Sequence, residues 1–456
     1  MSEVDETASR RYPLSHTQEF LCGFDDNVDA DEGPFGPRYH NVRGWRLLGS
    51  VDIDLLRAAL GDVVTRHEAL RTVINRPSTD RYQEVRPPSP AGLEVVDVPD
   101  TGSEHRVEEF LGVVEAGTIS AVRPPLLRAV LGRLSDEESL FVLVGHHIGT
   151  DGWSMRLLMR DIAEYYGARI EGREARLPEV RQYREFGVAQ REASSSPAHE
   201  RARAYWRDKL RDARLLGLPA DAAVVPGPDK VTSTFRFVLD PGLTDATVRL
   251  ARSSRASAFM VLQTAYNVLV ARRTSATDIV VPTITSGRLD ERFEETVGPF
   301  FNFLPLRTDL EGCVTLRDVL QRTRATCIEA QVNDIPFAHL VGEAPELPST
   351  FATPGVAVSA LQVFQHPFGA DGELGATAKY AEVRHRVLGQ AISSDIPNGM
   401  LWTLDVDAEH GIFGSVKYDR QEFREDTVAG LVEEFRAILS TVVTDADTPL
   451  SVEEAR

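Results

Sequence analysis

Apolar positions along the chain fall into two alternating periods. Residues 40–50 are dense in strand-forming side chains, and 53–72 follow with Leu55, Leu56, Leu60, Val63 and Val64 at helical spacing, which predicts a strand feeding a helix. Strands are predicted again at 126–134 and 140–147, then a helix over 152–170 with Leu157, Leu158, Ile162 and Tyr165 along one side. From 171 to 228 the pattern turns to charged helical stretches such as 199–214. Ser194-Ser195-Ser196-Pro197 and Pro226-Gly227-Pro228 interrupt it, which marks a crossover. Beyond it the spacing predicts strands near 233–239, 278–285, 355–365, 401–407 and 412–418. Helices are predicted near 244–253, 258–273, 315–333 and 425–442.

Helices set between strands in two successive halves fit an α/β class, as mixed α+β sandwiches. A chain of 456 residues exceeds one ordinary core. Two domains are therefore expected, 1–178 and 179–456. No internal sequence repeat accompanies the similar halves, and no low-complexity stretch occurs.

Composition narrows the classes of function. The hydrophobic share of 42% and charged share of 26% are those of a packed soluble protein, so disorder as the main state is not expected. Asp and Glu outnumber Lys and Arg 69 to 50, and the net charge of -19 argues against nucleic acid as a partner, because phosphate neutralisation needs a basic face. No apolar run approaches the roughly 20 residues of a membrane span. The start, 1–10, is polar and acidic rather than signal-like, so a cytoplasmic protein with a frayed start and no membrane partner is expected. Cys22, Cys313 and Cys327 are scattered without CxxC spacing, which suggests neither a disulfide framework nor a cysteine zinc site.

The candidate chemistry lies where the strand Phe141-Val142-Leu143-Val144 runs through Gly145 into two adjacent histidines, His146 and His147. Neighbouring strand residues point to opposite faces, so the two imidazoles are inequivalent and only one can enter a cleft. Asp151 and Gly152 follow, then Trp153 and an amphipathic helix. A neutral histidine titrates in the range suited to taking a proton from an amine or alcohol. Asp151 has two readings, as a helix N-cap or as a carboxylate neutralising an arginine. Zinc is not expected at the histidine pair, because adjacent strand residues diverge and no third ligand is suitably spaced; no metal is assigned.

His146-His147-Ile148-Gly149-Thr150-Asp151-Gly152 resembles the HHxxxDG signature of condensation domains of nonribosomal peptide synthetases, and Trp153-Ser154 matches the pair that often follows. Five further segments resemble the same family in order. Tyr12-Pro13-Leu14-Ser15-His16-Thr17-Gln18 keeps Ser15 and Gln18 of an S-x-A-Q stretch, and Arg66-His67-Glu68-Ala69-Leu70-Arg71-Thr72 fits R-H-E-x-L-R-T unchanged. Tyr183-Arg184-Glu185-Phe186 is similar to Y-x-D-F, with Glu for Asp. Val297-Gly298-Pro299-Phe300-Phe301-Asn302-Phe303-Leu304-Pro305-Leu306-Arg307 resembles I-G-x-F-V-N-T-L-x-L-R. Asn333-Asp334-Ile335-Pro336-Phe337 resembles N-Q-D-L-P-F, one residue shorter.

The resemblance implies two chloramphenicol-acetyltransferase-like lobes forming a V-shaped pseudo-dimer with a central tunnel, His147 at its middle. His147 is then the general base or the group that positions the nucleophile, with His146, Asp151 and Gly152 around it. The family pattern pairs Asp151 with the arginine of Ser286-Gly287-Arg288, supported by Arg71. Arg288 by itself reads equally as a solvated loop residue. Trp153, Gly298 and Asn302 are further candidates, the last two alternatively a turn and its cap; His67 and His339 read as packing or surface groups.

The implied reaction is acyl transfer from the phosphopantetheine arm of a peptidyl or acyl carrier protein to a small-molecule alcohol or amine, with no permanently bound cofactor. No Gly-Gly of the kind that precedes a carrier serine occurs, and the chain ends without room for an adenylation domain, so donor loading is expected elsewhere. The Tyr12-Pro13-Leu14-Ser15-His16 stretch is similar to free-standing enzymes of enediyne antibiotic pathways that form esters, so an ester is favoured over an amide. The alternatives are amide formation between two carrier-bound substrates, an epimerisation domain and a non-catalytic recruitment module. A plant-type CoA-dependent acyltransferase would carry a D-F-G-W-G segment, which is missing.

Overall fold

A computed structural model describes residues 11–23, 36–76, 80–223, 230–365, 371–396, 398–407 and 410–451. The expected frayed start and the Pro226-Gly227-Pro228 break lie outside them. Contacts group the chain into two compact units. The first takes Met1–Ser195, Ser286–Phe301 and Phe368–Arg384; the second takes Ser196–Thr285, Asn302–Pro367 and His385–Arg456. The sequence pattern predicts one boundary, after residue 178. Contacts carry the first unit on through the helix Tyr183–Ala193 and return two later segments to it. One returned segment buries Phe293, Val297 and Phe300 in that unit's core, and the other adds the strand Ala378–Glu382 to the edge of His40–Gly49.

The first unit is built on a six-stranded sheet in the order Gly372–Leu374, Ala378–Glu382, His40–Gly49, Glu138–His146, Leu127–Arg133, Gly92–Asp97. Its strand Glu138–His146 is buried on both faces, and the alternation divides its side chains. Phe141 and Leu143 pack with Leu56, Leu60, Leu158 and Ile162 from the helices Ile53–Arg66 and Gly152–Glu171. Leu140, Val142 and Val144 pack with Val107, Leu111 and Val114 of the helix Arg106–Glu115. A sheet covered on both sides explains why this stretch is a continuous apolar run.

The predicted helix over 53–72 stops at Arg66. His67 turns extended (φ -106°, ψ 100°), and a short 3-10 turn, Glu68–Arg71, follows. The break has a polar cause: Arg66 Nε and His67 Nε2 both reach Asp161 Oδ2, at 3.0 and 2.8 Å, inside the unit. Burial depresses the His67 pKa against the pull of that carboxylate.

The second unit has a seven-stranded sheet in the order Asn302–Asp309, Asp278–Thr285, Val356–Phe364, Met400–Asp407, Gly411–Asp419, Thr232–Leu239, with Gly217–Pro219 pairing Val356–Phe364 off this path. Helix Ala258–Thr274 is buried along most of its length, its buried Gln263 donating to Asn267 one turn on, and its Tyr266 fills the core together with Trp402 and Phe435. Strand Asn302–Asp309 was not predicted. Its Pro305 sits opposite Pro282, and the strand lies at the sheet edge, where a residue without an N–H is tolerated. Among the described residues no helix is long and apolar enough to cross a membrane.

Candidate active site

Strand Glu138–His146 ends by turning on itself: Gly149 and Thr150 each donate a backbone N–H to His146 O at 3.0 Å, and Thr150 Oγ1 donates to the same carbonyl. The turn separates the two histidines. His146 is fully buried, its Nε2 at 3.0 Å from Gly36 O and its Nδ1 accepting Ile148 N–H at 3.1 Å. Burial, helped by the neighbouring imidazoles, pushes its pKa down to about 3. Both ring nitrogens of His146 are thus engaged, and burial favours the neutral ring.

His147 is half-exposed and lies beside the rings of Tyr39 (centroids 4.8 Å apart) and Phe301 (5.5 Å, edge-on). Its Nδ1 is 3.1 Å from Thr150 O and 3.2 Å from Asn41 Nδ2. A carbonyl has no proton to give, so the first contact is favourable only when Nδ1 carries the hydrogen. The two Asn41 amide hydrogens then go to Thr150 O and Thr150 Oγ1, at 3.2 and 3.4 Å. If Asn41 donated to Nδ1 instead, the imidazole lone pair would face the Thr150 carbonyl. With the proton on Nδ1, Nε2 is the basic nitrogen.

Asp151 caps the helix that Gly152 opens, accepting Ser154 N–H at 2.7 Å and Ser154 Oγ–H at 2.6 Å on Oδ1. It also pairs with Arg288, whose Nη2 is 3.1 Å from both carboxylate oxygens, while Phe300 N–H reaches Oδ2 at 3.3 Å. Both readings of Asp151 therefore hold in one geometry. The Arg288 side chain is 2% exposed, donates from Nη1 to Phe293 O (3.0 Å) and Thr296 O (2.7 Å), and lies 3.9 Å over the Phe300 ring. It ties the 286–301 segment to the helix start, and burial lowers its pKa. Gly287 makes the approach possible: its φ is +61°, and a Cβ there would sit 1.7 Å from Phe300 O.

Trp153 donates Nε1–H to Glu294 O at 3.1 Å. Gly298 N–H donates to Ser154 Oγ at 3.0 Å, and a Cβ on Gly298 would lie 2.1 Å from the Tyr183 ring. Tyr183 is the hub of the remaining motifs: its hydroxyl donates to Pro299 O and accepts from Ser15 Oγ, each at 2.8 Å. Ser15 and Gln18 cap each other's backbone at the start of the helix His16–Gly23. Glu185, where the family pattern has Asp, reaches back to Gln182 N–H in a capping box.

Two expected residues stand apart. Arg71 directs its hydrogen bonds to the carbonyls of Val64, Thr65 and Arg86, bracing the 3-10 turn whose Leu70 O accepts Leu126 N–H; Leu126 O in turn accepts His146 N–H. Its link to the site runs through backbone, not through Asp151. Asn302 belongs to the second unit, where its amide donates to Asp334 Oδ1 and Ile335 O and accepts Phe337 N–H. Asn41, Thr150, Ser154 and Tyr183 join the site in the structure beyond the residues that the sequence predicts for it. Asn41 is one of several polar residues in its strand, and nothing in its spacing singles it out.

Residues 9–455 match the family described as Condensation domain. The chain belongs to the condensation-domain family. With it comes the chloramphenicol-acetyltransferase-like mixed α/β fold that the resemblance implied. Chondramide synthase cmdD of Chondromyces crocatus is 31% identical over 450 residues, 95% of this chain but 11% of that protein, so the chain spans about a tenth of this relative. Among solved structures, SgcC5 of Streptomyces globisporus, in complex with (R)-(-)-1-(2-naphthyl)-1,2-ethanediol and sucrose, is 42% identical with a TM-score of 0.91, covering 96% of this chain and 100% of that one. The X-domain from teicoplanin biosynthesis is 26% identical with a TM-score of 0.78, covering 100% of this chain and 99% of that one. Condensation domains form bonds by acyl transfer, using donors carried on phosphopantetheine arms of partner carrier proteins.

Proposed function

We propose that the protein acts as a free-standing condensation enzyme that transfers a carrier-bound aminoacyl or acyl group to a small-molecule alcohol, forming an ester in natural-product biosynthesis of the enediyne type. The observation that carries this reading is the match to SgcC5 over that chain's whole length, together with the vicinal diol bound in that structure. An alcohol is the nucleophile such a ligand offers.

In the proposed reaction, Nε2 of His147 takes the hydroxyl proton as the oxygen attacks the thioester carbon. The tetrahedral intermediate collapses, the carbon–sulfur bond breaks, and the thiolate leaves with the proton returned from the imidazolium. Thr150 O, accepting Nδ1–H at 3.1 Å, stabilises that cation, and Asn41 holds the carbonyl in place. General base help of this kind contributes roughly a hundredfold or more, and holding both reactants supplies up to roughly 7–11 kcal/mol. Gly152 N–H at the helix start is the proposed donor to the oxyanion. Asp151, Arg288, Trp153 and Gly298 keep the helix start and the 286–301 segment together rather than touching substrate.

The test is to mix the protein with an aminoacyl-loaded carrier protein and, separately, an aryl ethanediol and the matching amino alcohol, and to weigh the products. Ester with the diol, formed at least as fast as amide, is expected. Amide alone would restrict the reading to amide synthesis, epimerised donor without coupling would make the protein an isomerase, and carrier binding without chemistry would favour a recruitment role.

A further inference from the structure

The second unit holds a side-chain cluster that the proposed reaction does not use. His385 opens its last segment, and Asp407 and His410 stand at the joined ends of the paired strands Met400–Asp407 and Gly411–Asp419. Asp407 offers one oxygen to each histidine: Oδ1 lies 3.2 Å from His410 Nδ1, and Oδ2 lies 3.6 Å from His385 Nε2. The ligand-type atoms of all three residues fall within 4.8 Å of one another. The His385 ring is flat against Phe413, with centroids 3.9 Å apart and planes 11° apart, which fixes its plane, and the rings of His385 and His410 are 4.9 Å apart. Oδ1 also accepts His410 N–H at 3.1 Å, which keeps the carboxylate at this end of the hairpin.

We propose that His385, Asp407 and His410 bind a divalent first-row transition metal ion. Ligand atoms ~2.0–2.1 Å from a tetrahedral ion are about 3.3 Å apart along each edge, and each imidazole nitrogen already lies near that length from an oxygen of Asp407, His410 at 3.2 Å from Oδ1 and His385 at 3.6 Å from Oδ2. Closing the set from ligand atoms that start within 4.8 Å of one another takes a turn of the Asp407 carboxylate, to present one oxygen to both rings, and a rotation of the exposed His410 ring. Two neutral imidazoles and one carboxylate suit Zn2+, Ni2+ or Cu2+ and not the all-oxygen coordination of Mg2+ or Ca2+. Three protein ligands leave one tetrahedral position to water. The ion ties the first residue of the segment His385–Arg456 to the end of a hairpin, so it stabilises the folded second unit by mass action. Sequence spacing does not reveal this set, because His385 is remote from the Asp407 and His410 pair along the chain. The inference is independent of the reaction proposed above.

The test is calorimetric titration of the full chain with ZnCl2 near pH 7.5, with MgCl2 as the control, on the wild type, Asp407→Asn and the double variant His385→Ala/His410→Ala. The wild type is expected to bind one more Zn2+ than the double variant, to bind it about tenfold or more tightly than Asp407→Asn does, and to show a Zn2+-dependent rise in thermal midpoint that the double variant lacks. Magnesium produces no heat of binding at the same concentration. Equal zinc stoichiometry in the wild type and the double variant, or no saturable zinc binding at all, overturns the proposal. Asp407→Asn keeps the hydrogen bond to His410 N–H, so its zinc loss does not depend on a folding defect.

Discussion

Asp151 and Arg288 form a buried pair that also serves as a helix cap, so the cost of breaking it is not that of an exposed ion pair. Removing one partner strands the other charge in the interior, worth about 3–5 kcal/mol. Arg288→Ala and Asp151→Asn are each expected to lower unfolding stability in urea. The double variant should lose less than the sum, because both single changes break one network. Additive losses would contradict the pairing. The histidines differ in kind: His146 is engaged at both nitrogens, and His147 has Thr150 O on one side of its ring. Strand alternation made the two inequivalent in the sequence. Which carbonyl and which amide would face His147 was not legible, because Asn41 meets it only through the pairing of His40–Gly49 with Glu138–His146, and Thr150 O only through the way the strand end turns on itself.

At the scale of elements, the long periodic helices and the central strands were readable, and several short or edge elements were not. Ala378–Glu382 lacks the β-branched residues of a strand and exists because it finds an edge of the first sheet from far along the chain. Helix Ile53–Arg66 ends before the predicted bound at residue 72, where Asp161, remote in sequence, holds His67. Asn302 joins two motifs of the second unit, strand Asn302–Asp309 and the segment before helix Phe337–Glu343.

Its partner Asp334 is pushed up to about 6 by burial, against the hydrogen bond from Asn302. The folded state therefore binds more protons than the unfolded chain between pH about 4 and 6, and stability falls as pH rises through that window. Asp334→Asn keeps an acceptor for the Asn302 amide and removes the charge. The variant should be more stable than the wild type by about 3 kcal/mol at pH 7.5 and close to it near pH 4. Denaturant curves at the two pH values check this; a variant less stable at pH 7.5 would contradict it.

Across the whole molecule, six ordered motifs anticipated the family and the fold. Most of them now have structural work: Ser15, Gln18 and Glu185 cap helices, Arg66 and His67 bind Asp161, Arg71 braces a turn, and Tyr183 joins the 286–301 segment to the start of the chain. The interleaving of the two units was not legible, because a linear cut cannot show that 286–301 and 368–384 pack with residues far earlier. With a net charge of -19, the proposed docking of an acidic carrier protein calls for a locally basic patch, and salt should then weaken docking more than it slows chemistry.

The central claim is that His147 moves the proton in acyl transfer while the rest of the motif holds it in place. Single-turnover transfer from a loaded carrier protein to an alcohol, measured for wild type and His147→Ala alongside carrier affinity, tests it most directly. A rate lower by roughly a hundredfold or more with unchanged affinity is expected. Near-normal turnover in His147→Ala would contradict the account.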